Sequence, residues 1–260
     1  MELSNQVIVV TGAARGIGRA LVRRFAAERP KTIVVADIDG DGAARVAEEV
    51  GGTSVPCDVA RETDAERLVR QVESSFGRID IFCSNAGIAV GGGPEAADQD
   101  WQRIFDVNVM AHVYFARQVL PSMLARKHGY LLGTVSAAGL LNHIFAAPYA
   151  VTKAAALSFF EWLAIAHGDD GIRVSCLCPQ GVKTDMLAAE QDQLGIDFLT
   201  AGAIEPEAVA DAVVKGIGEE RFLILPHPEV GEYFRRKADD YDRWLRGMRR
   251  LRQNLLASSR

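Results

Sequence analysis

The sequence predicts an α/β protein, a three-layer, doubly wound parallel sheet of about seven strands with helices on both faces. Three observations carry this expectation. Short β-branched runs recur along the chain, longer segments of helical periodicity alternate with them, and glycine-rich or polar residues follow six of the seven runs.

The strand candidates lie at 7–11, 32–37, 54–58, 79–84, 130–135, 173–178 and 222–225. Most are continuously apolar, the pattern of strands covered on both faces. Between them, segments such as 19–27, 64–76, 101–124 and 150–167 place apolar residues at helical spacing. Repeated strand–helix units of this kind specify right-handed crossovers and a parallel sheet. No Pro/Ser-rich linker or internal repeat divides the 260 residues, so a single domain over 1–260 is expected. In such a sheet, ligands bind where loops leave the carboxyl ends of the strands.

Composition narrows the function classes. The charged and apolar fractions, 24% and 48%, are those of an ordinary globular protein. A formal net charge of −5 weighs against a nucleic-acid partner, which calls for a basic face. The start, Met1-Glu2-Leu3-Ser4-Asn5-Gln6, lacks the basic flank and apolar run of a signal peptide. No apolar run approaches the roughly 20 residues that span a bilayer. Cys57, Cys83, Cys176 and Cys178 sit in or beside strand-like runs and lack zinc-ligand spacing, so buried reduced thiols and no metal are expected. The expectation is a cytoplasmic protein without a membrane partner.

The first strand runs directly into Thr11-Gly12-Ala13-Ala14-Arg15-Gly16-Ile17-Gly18, with a helix immediately after. Glycines let the backbone turn and approach a pyrophosphate, and the helix N-terminus offers unpaired N–H donors. A tight connection without a ligand is the plainer alternative for such a turn. Asp37 closes the second strand, where a carboxylate accepts hydrogen bonds from both ribose hydroxyls of an adenosine and repels a 2′-phosphate. That favours NAD. Arg15 argues the other way, because a cation in the loop is compatible with the 2′-phosphate of NADP. Asp58-Val59 follows the third strand, and Asp58 suits either an adenine amino group or the cap of the next helix. Asn85-Ala86-Gly87 ends the fourth, where small residues permit close approach to a ligand or simply form a turn.

The fifth strand ends near Ser136, and Tyr149 and Lys153 follow on a helix at i, i+4, which puts both on one face. Interconverting an alcohol and a carbonyl requires a hydride carrier and a group that trades a proton. A phenol of pKa about 10 is a poor base, but a nearby ammonium stabilises its phenolate. Ser136 can hydrogen-bond the substrate oxygen beside Tyr149. Asn108 lies inside a long helical pattern, where Asn is a mediocre residue. A distorted turn, its side chain binding a water that links Lys153 to solvent, would account for it.

Taken together, these segments resemble the short-chain dehydrogenase/reductase family in its single-domain, Rossmann-like form. The resemblance runs from residue 11 to 184 and includes Pro179-Gln180-Gly181-Val182-Lys183-Thr184. It implies a catalytic set of Asn108, Ser136, Tyr149 and Lys153, with Lys153 also bonding the nicotinamide ribose. It further implies that Thr184 and the Val182 backbone orient the carboxamide, and that the chain forms a homotetramer or homodimer. Ser84 and Gln180 depart from the family pattern, as does the end of the chain.

A substrate pocket is expected from the loop 137–148, the stretch 186–204 and residues 91–95. Leu140, Leu141, Ile144, Phe145, Met186, Leu187, Leu194 and Phe198 would be its apolar walls, with Asn142, His143 and Gln180 as polar selectors. A hydrophobic secondary alcohol or ketone fits that lining. An NADP(H)-dependent ketone or 3-oxoacyl reductase is the alternative within the class, and a non-catalytic dinucleotide-binding regulator the alternative outside it. Beyond the last strand, one helix over about 230–256 is expected. Its stripe of Phe234, Ala238, Tyr241, Leu245 and Met248 would serve a subunit contact, a lid over the pocket, or packing on its own domain.

Overall fold

The structure, a computed structural model, describes residues 1–194 and 199–258, with the side chains of 190–194, 201 and 258 left out of the description. Seven strands form one parallel sheet: β1 (Val7–Thr11), β2 (Thr32–Asp37), β3 (Thr53–Pro56), β4 (Ile81–Ser84), β5 (Gly129–Thr134), β6 (Ile172–Leu177) and β7 (Leu223–Ile224). Their order is β3-β2-β1-β4-β5-β6-β7. The chain winds outward from β1 to β3, then crosses back to β4 and winds the other way. Loops after β1 and β4 therefore part, leaving a crevice at the carboxyl edge.

Register decides what shares that edge. Val10 pairs with Cys83, Ser84 with Gly133, and Gly133 with Cys176. The strands that flank the crevice thus end level, and the residues just beyond them emerge side by side.

The helices are α1 (Gly16–Ala26), α2 (Gly40–Val50), α3 (Glu62–Phe76), α4 (Asp98–Phe105), α5 (Ala111–Arg126), α6 (Ala137–Leu141), α7 (Ala147–His167), α8 (Asp185–Leu194), α9 (Pro206–Gly218), α10 (Glu229–Asp239) and α11 (Tyr241–Ser258). Strand side chains alternate between two buried layers. Ile8, Val10, Ile81 and Leu132 meet Leu21, Phe25, Val46 and Val213 from α1, α2 and α9. Val9, Phe82, Leu131 and Val174 meet Leu68, Phe115, Phe160 and Leu163 from α3, α5 and α7. Each fully buried side chain of this size contributes about 1.5–3 kcal/mol as an upper bound.

Two expectations about helices change. The apolar pattern over 101–124 is not one helix: α4 and α5 are joined by a π-turn at Asp106–Met110. The C-terminal segment is two helices, broken at Asp240, whose φ of −151° and ψ of 92° are extended. Asp240 caps the new helix, its Oδ1 accepting from Arg243 N at 2.8 Å and its carbonyl from Trp244 N at 3.0 Å. Helix α7 is long and apolar enough to pass for a membrane span by length and composition, contrary to the expectation that nothing in the chain comes close. Ala156, Leu157, Phe160 and Leu163 of this helix are nevertheless buried in the core.

Candidate active site

One cavity of about 1630 Å³ runs along the carboxyl edge and is lined by residues from almost every loop there. At one end the chain turns through the glycine loop between β1 and α1. Gly12 holds φ at +63°, and a Cβ there would fall 2.6 Å from Ala86 Cα. No side chain caps the N-terminus of α1, so its first N–H groups remain available to an anion. Asp37 Oδ2 accepts from Ala14 N at 2.9 Å, and Asp37 and Asp58 both line the cavity. This cradle fits a dinucleotide, with the pyrophosphate at the loop and an adenosine ribose at Asp37. Of the two readings of Asp58, the cap is not seen: the residue preceding α3 is Arg61, and Asp58 Oδ1 accepts from Ala60 N. Arg15 reaches away from Asp37 to Asp185, with Nη1 3.7 Å from Oδ2.

Asn85 braces the crevice. Its Nδ2 donates to the carbonyls of Thr11 (2.9 Å) and Gly12 (3.1 Å), and its Oδ1 accepts from Thr134 Oγ1 (2.9 Å). Thr11 Oγ1 in turn accepts from the backbone N–H groups of Asn85 and Ala86. The ends of β1, β4 and β5 are thereby tied together, a role for Thr11 and Thr134 that the sequence reading missed.

The distorted turn expected at Asn108 is the π-turn, a common device at functional sites. Its side chain ties two segments together. Oδ1 accepts from Ile88 N (2.9 Å), while Nδ2 donates to Ile88 O (3.0 Å) and Thr152 Oγ1 (3.2 Å). Both Nδ2 hydrogens are thus used within the protein, and Oδ1 accepts one N–H. Gly87 lets the loop pass close by, since a Cβ there would lie 3.3 Å from Asn108 Oδ1 and 3.4 Å from Lys153 Nζ.

Ser136 stands at the N-cap of α6, its Oγ accepting from Ala138 N at 3.0 Å. Gly139 of the same helix presses on α7, with a Cβ there only 2.8 Å from Lys153 O. That contact sets the spacing between Ser136 and the Tyr149/Lys153 face. Lys153 is buried, donates from Nζ to Thr134 O at 2.9 Å, and lies 5.6 Å from the centroid of the Tyr149 ring. Loss of hydration pushes its pKa down to about 8. Behind it, buried His112 pairs its Nδ1 with Ser84 Oγ at 2.7 Å, at the position where Ser84 departs from the family pattern. Burial first, and Lys153 second, push His112 down to about 3, so it is neutral.

Ile17, Gly16, Gly18, Val59, Pro179, Val182, Thr184, Asn142, His143, Gln180 and Met186 all line the same cavity. His143 is buried against the Tyr149 ring, centroids 6.2 Å apart, rather than exposed as a loop histidine would be. Gln180 N donates to His227 Nδ1 at 3.1 Å, and Gln180 Oε1 is buried without a partner among the described residues.

The pocket walls need correction. Leu141, Met186 and Leu187 line the cavity, but Leu140 points into the core, and Ile144 and Phe145 are not among its walls. Of 91–95 only Gly91 lines it, because Gly92 is pinned to the 145–147 backbone. Phe198 and the side chain of Leu194 lie outside the described residues. The C-terminal stripe divides: Met248 lines the cavity, whereas Phe234, Tyr241 and Leu245 are exposed and do not. The break at Asp240 resets the helical phase, so α11 turns Trp244, Met248 and Leu251 toward the cavity. Their i, i+4, i+7 spacing was the available signal. Among the described residues there is no cluster fit to hold a metal ion.

A family model described as short chain dehydrogenase matches residues 6–195. Meso-2,3-butanediol dehydrogenase of Serratia marcescens is 34% identical over 218 residues, 81% of this chain and 86% of that protein. A 1-deoxy-11-beta-hydroxypentalenate dehydrogenase of Streptomyces exfoliatus is 34% identical over 252 residues, 92% of this chain and 90% of that protein. A short chain dehydrogenase/reductase of Burkholderia phymatum, solved in complex with NAD, superposes with a TM-score of 0.85 at 28% identity. That match covers 93% of this chain and 96% of the other.

The buried lysine makes the site's electrostatics testable through stability. Its folded pKa of about 8 lies below the 10.5 of a hydrated lysine, so between those values the unfolded chain binds more protons, and stability rises with pH. Lys153→Met removes that dependence. The stability of wild type relative to Lys153→Met should therefore climb by up to about 3 kcal/mol between pH about 8 and about 10.5. Parallel urea titrations across this range check it, and a flat difference would show that the ammonium is not desolvated.

Proposed function

Because the chain belongs to the short-chain dehydrogenase/reductase family, we propose that it is an NAD(H)-dependent oxidoreductase interconverting a secondary alcohol and a ketone, with Tyr149 as the proton-trading group. The observation that carries this is the convergence of Ser136, Tyr149 and Lys153 on one cavity with the glycine cradle.

Each residue has a physical task. The hydroxyl of Ser136 holds the substrate oxygen beside the Tyr149 phenol. In oxidation Tyr149 takes the alcohol's O–H proton, and in reduction it returns one to the developing alkoxide. The ammonium of Lys153 near the ring favours the phenolate, and with Thr134 as its anchor it would also hold the nicotinamide ribose. Asn108 is the support beneath: it pins the Ile88 loop to the helix turn that carries Thr152, the neighbour of Lys153. Bound NAD would supply the hydride acceptor, and NADH the donor. Thr184, Val182 and Pro179 would wall the carboxamide end, and Asp58-Val59 with Asn85-Ala86-Gly87 the adenosine side. Gln180, Asn142, His143 and Met186 are the substrate-side contacts in this reading.

Asp37 supports NAD over NADP, since its carboxylate would face a 2′-phosphate. The contact of Arg15 with Asp185, Nη1 3.7 Å from Oδ2, lends this reading some support. The apolar walls, Val90, Val107, Leu141 and Met186 among them, support a hydrophobic substrate. The outer face of α7 supports a homo-oligomer, dimer or tetramer, because Val151, Trp162 and Ile165 stand exposed, Ile165 by 85%. Four buried, unpaired thiols support a reducing, cytoplasmic setting.

Three outcomes are expected. A panel of secondary alcohols with NAD, followed at the nicotinamide absorbance band, should show turnover that Tyr149→Phe lowers by about 10²–10⁴-fold with cofactor binding intact. Fluorescence titration should give NADH at least about tenfold tighter binding than NADPH, and the reverse order would remove Asp37 from its role. Sedimentation of Ile165→Glu should give a smaller particle than wild type, whereas an unchanged mass would place the subunit contact elsewhere.

A further inference from the structure

The cavity is roofed by α11, and the roof carries charge. Helix α10 is anchored by buried Val230 and by Lys237 Nζ, which donates to Leu140 O at 2.6 Å. Helix α11 is anchored at its far end, where the Arg252 guanidinium lies 5.7 Å from the Phe145 ring centroid. Between these anchors the face toward the cavity reads Arg243, Trp244, Gly247, Met248, Arg250 and Leu251. Arg246 and Arg249 are not part of that lining.

Arg243 and Arg250 are seven residues apart, two turns along one face and about 10 Å in rise. Neither has an ion-pair partner within 4 Å among the described residues, and neither does Arg103, which reaches the same cavity from α4. Of the other charges facing this end, Arg236 is paired with Glu232 and Asp240 caps α11 through Arg243 N, while Asp239 lines the wall from α10 without an ion-pair partner among the described residues, one carboxylate against three arginines.

Gly247 sits midway between the two arginines. Glycine in a helix interior is unfavourable by about 1 kcal/mol relative to Ala, and no protein neighbour demands it here: a Cβ at Gly247 would meet nothing within 4 Å. The notch it leaves opens into the cavity between two cations, beside the apolar surfaces of Trp244 and Met248.

We propose that this roof selects the substrate, which is an amphipathic secondary alcohol or ketone bearing a carboxylate at the end remote from the reacting carbon. The apolar body lies under Trp244, Met248 and Leu251, and the carboxylate sits in the Gly247 notch between Arg243 and Arg250, with Arg103 on the facing wall. The proposal rests on the reading of Ser136, Tyr149 and Lys153 as the reacting end, and deepens it. Guanidinium groups suit a carboxylate because their planar donors match its two oxygens.

The test is calorimetric and needs no turnover. Decanoate and its neutral analogue decanamide are titrated into the NAD-loaded protein. Decanoate should bind about tenfold tighter than decanamide, and the preference should shrink as salt rises from about 0.05 to about 0.5 M. Arg243→Gln and Arg250→Gln should each remove most of the preference while leaving decanamide binding unchanged. Gly247→Leu, which fills the notch and favours the helix, should weaken both ligands without lowering Tm. Equal affinity for acid and amide in the wild type, or a preference that survives the double Gln variant, overturns the proposal, and so does unchanged decanoate binding in Gly247→Leu. Turnover of a neutral alcohol such as 2-octanol by the Gln variants is measured alongside. Its absence from every variant and wild type bears on the dehydrogenase reading, while the binding comparison bears on the roof alone.

Discussion

The carboxyl edge of the sheet is held by a single run of hydrogen bonds from the glycine loop to the buried lysine. Thr11 and Gly12 offer their carbonyls to Asn85, Asn85 accepts from the Thr134 hydroxyl, and the Thr134 carbonyl accepts from Lys153 Nζ. Thr11 and Thr134 close their strands, Gly12 and Asn85 lie just beyond strand ends, and Lys153 is on α7. Parting of the β1 and β4 loops creates the crevice, and this brace carries the fixed spacing of the paired strands into the loops beyond them. Polar groups buried at that depth are costly unless paired. The network therefore makes the open crevice compatible with a stable fold, and it couples the proposed cofactor end to the proposed reacting end.

Lys153 shows how stability is traded for electrostatic use. Burying an ammonium destabilises the folded chain, which is why its pKa falls to about 8. The same low-polarity setting lets the charge act strongly on the phenol beside it. The surroundings are arranged so that no second cation competes: His112, packed behind, is held neutral by burial and by Lys153 itself. Helix α7 carries Lys153 and Tyr149 and is apolar enough elsewhere to resemble a membrane span. Its length and greasiness are explained by a sheet on one side and an exposed Trp162/Ile165 face on the other.

The substrate side is assembled differently. The reacting end uses short helices set tightly on the sheet, with Gly139 against the Lys153 backbone fixing the spacing. The remote end uses α10 and α11, which touch the body through a few anchors: Val230, Lys237 on Leu140, and Arg252 over Phe145. Rigid chemistry under an attached roof allows one reaction to be directed at different molecules by changing the roof alone. In this chain the roof combines Trp244 and Met248 with the cations Arg243 and Arg250.

What the sequence determined by itself is whatever depends on near neighbours along the chain. Continuous apolar runs identify strands buried on both faces, and strand–helix alternation identifies a parallel sheet. A glycine turn ahead of a helix, and Tyr149 four residues before Lys153, have a fixed geometry once the local element forms. Even the distortion at Asn108 was legible, because an amide is out of place in a helix interior. The partners of that amide, Ile88 and Thr152, were not, nor was the burial of His143 or the bracing by Thr11 and Thr134. Those depend on contacts between distant segments, to which local propensity is blind. The C-terminal helices show the limit most plainly. Their apolar residues support two different stripes, and only the capping break at Asp240, with the docking of α11 on the Phe145 loop, decides which one meets the cavity. Helical periodicity defines faces, and tertiary packing selects which face is buried.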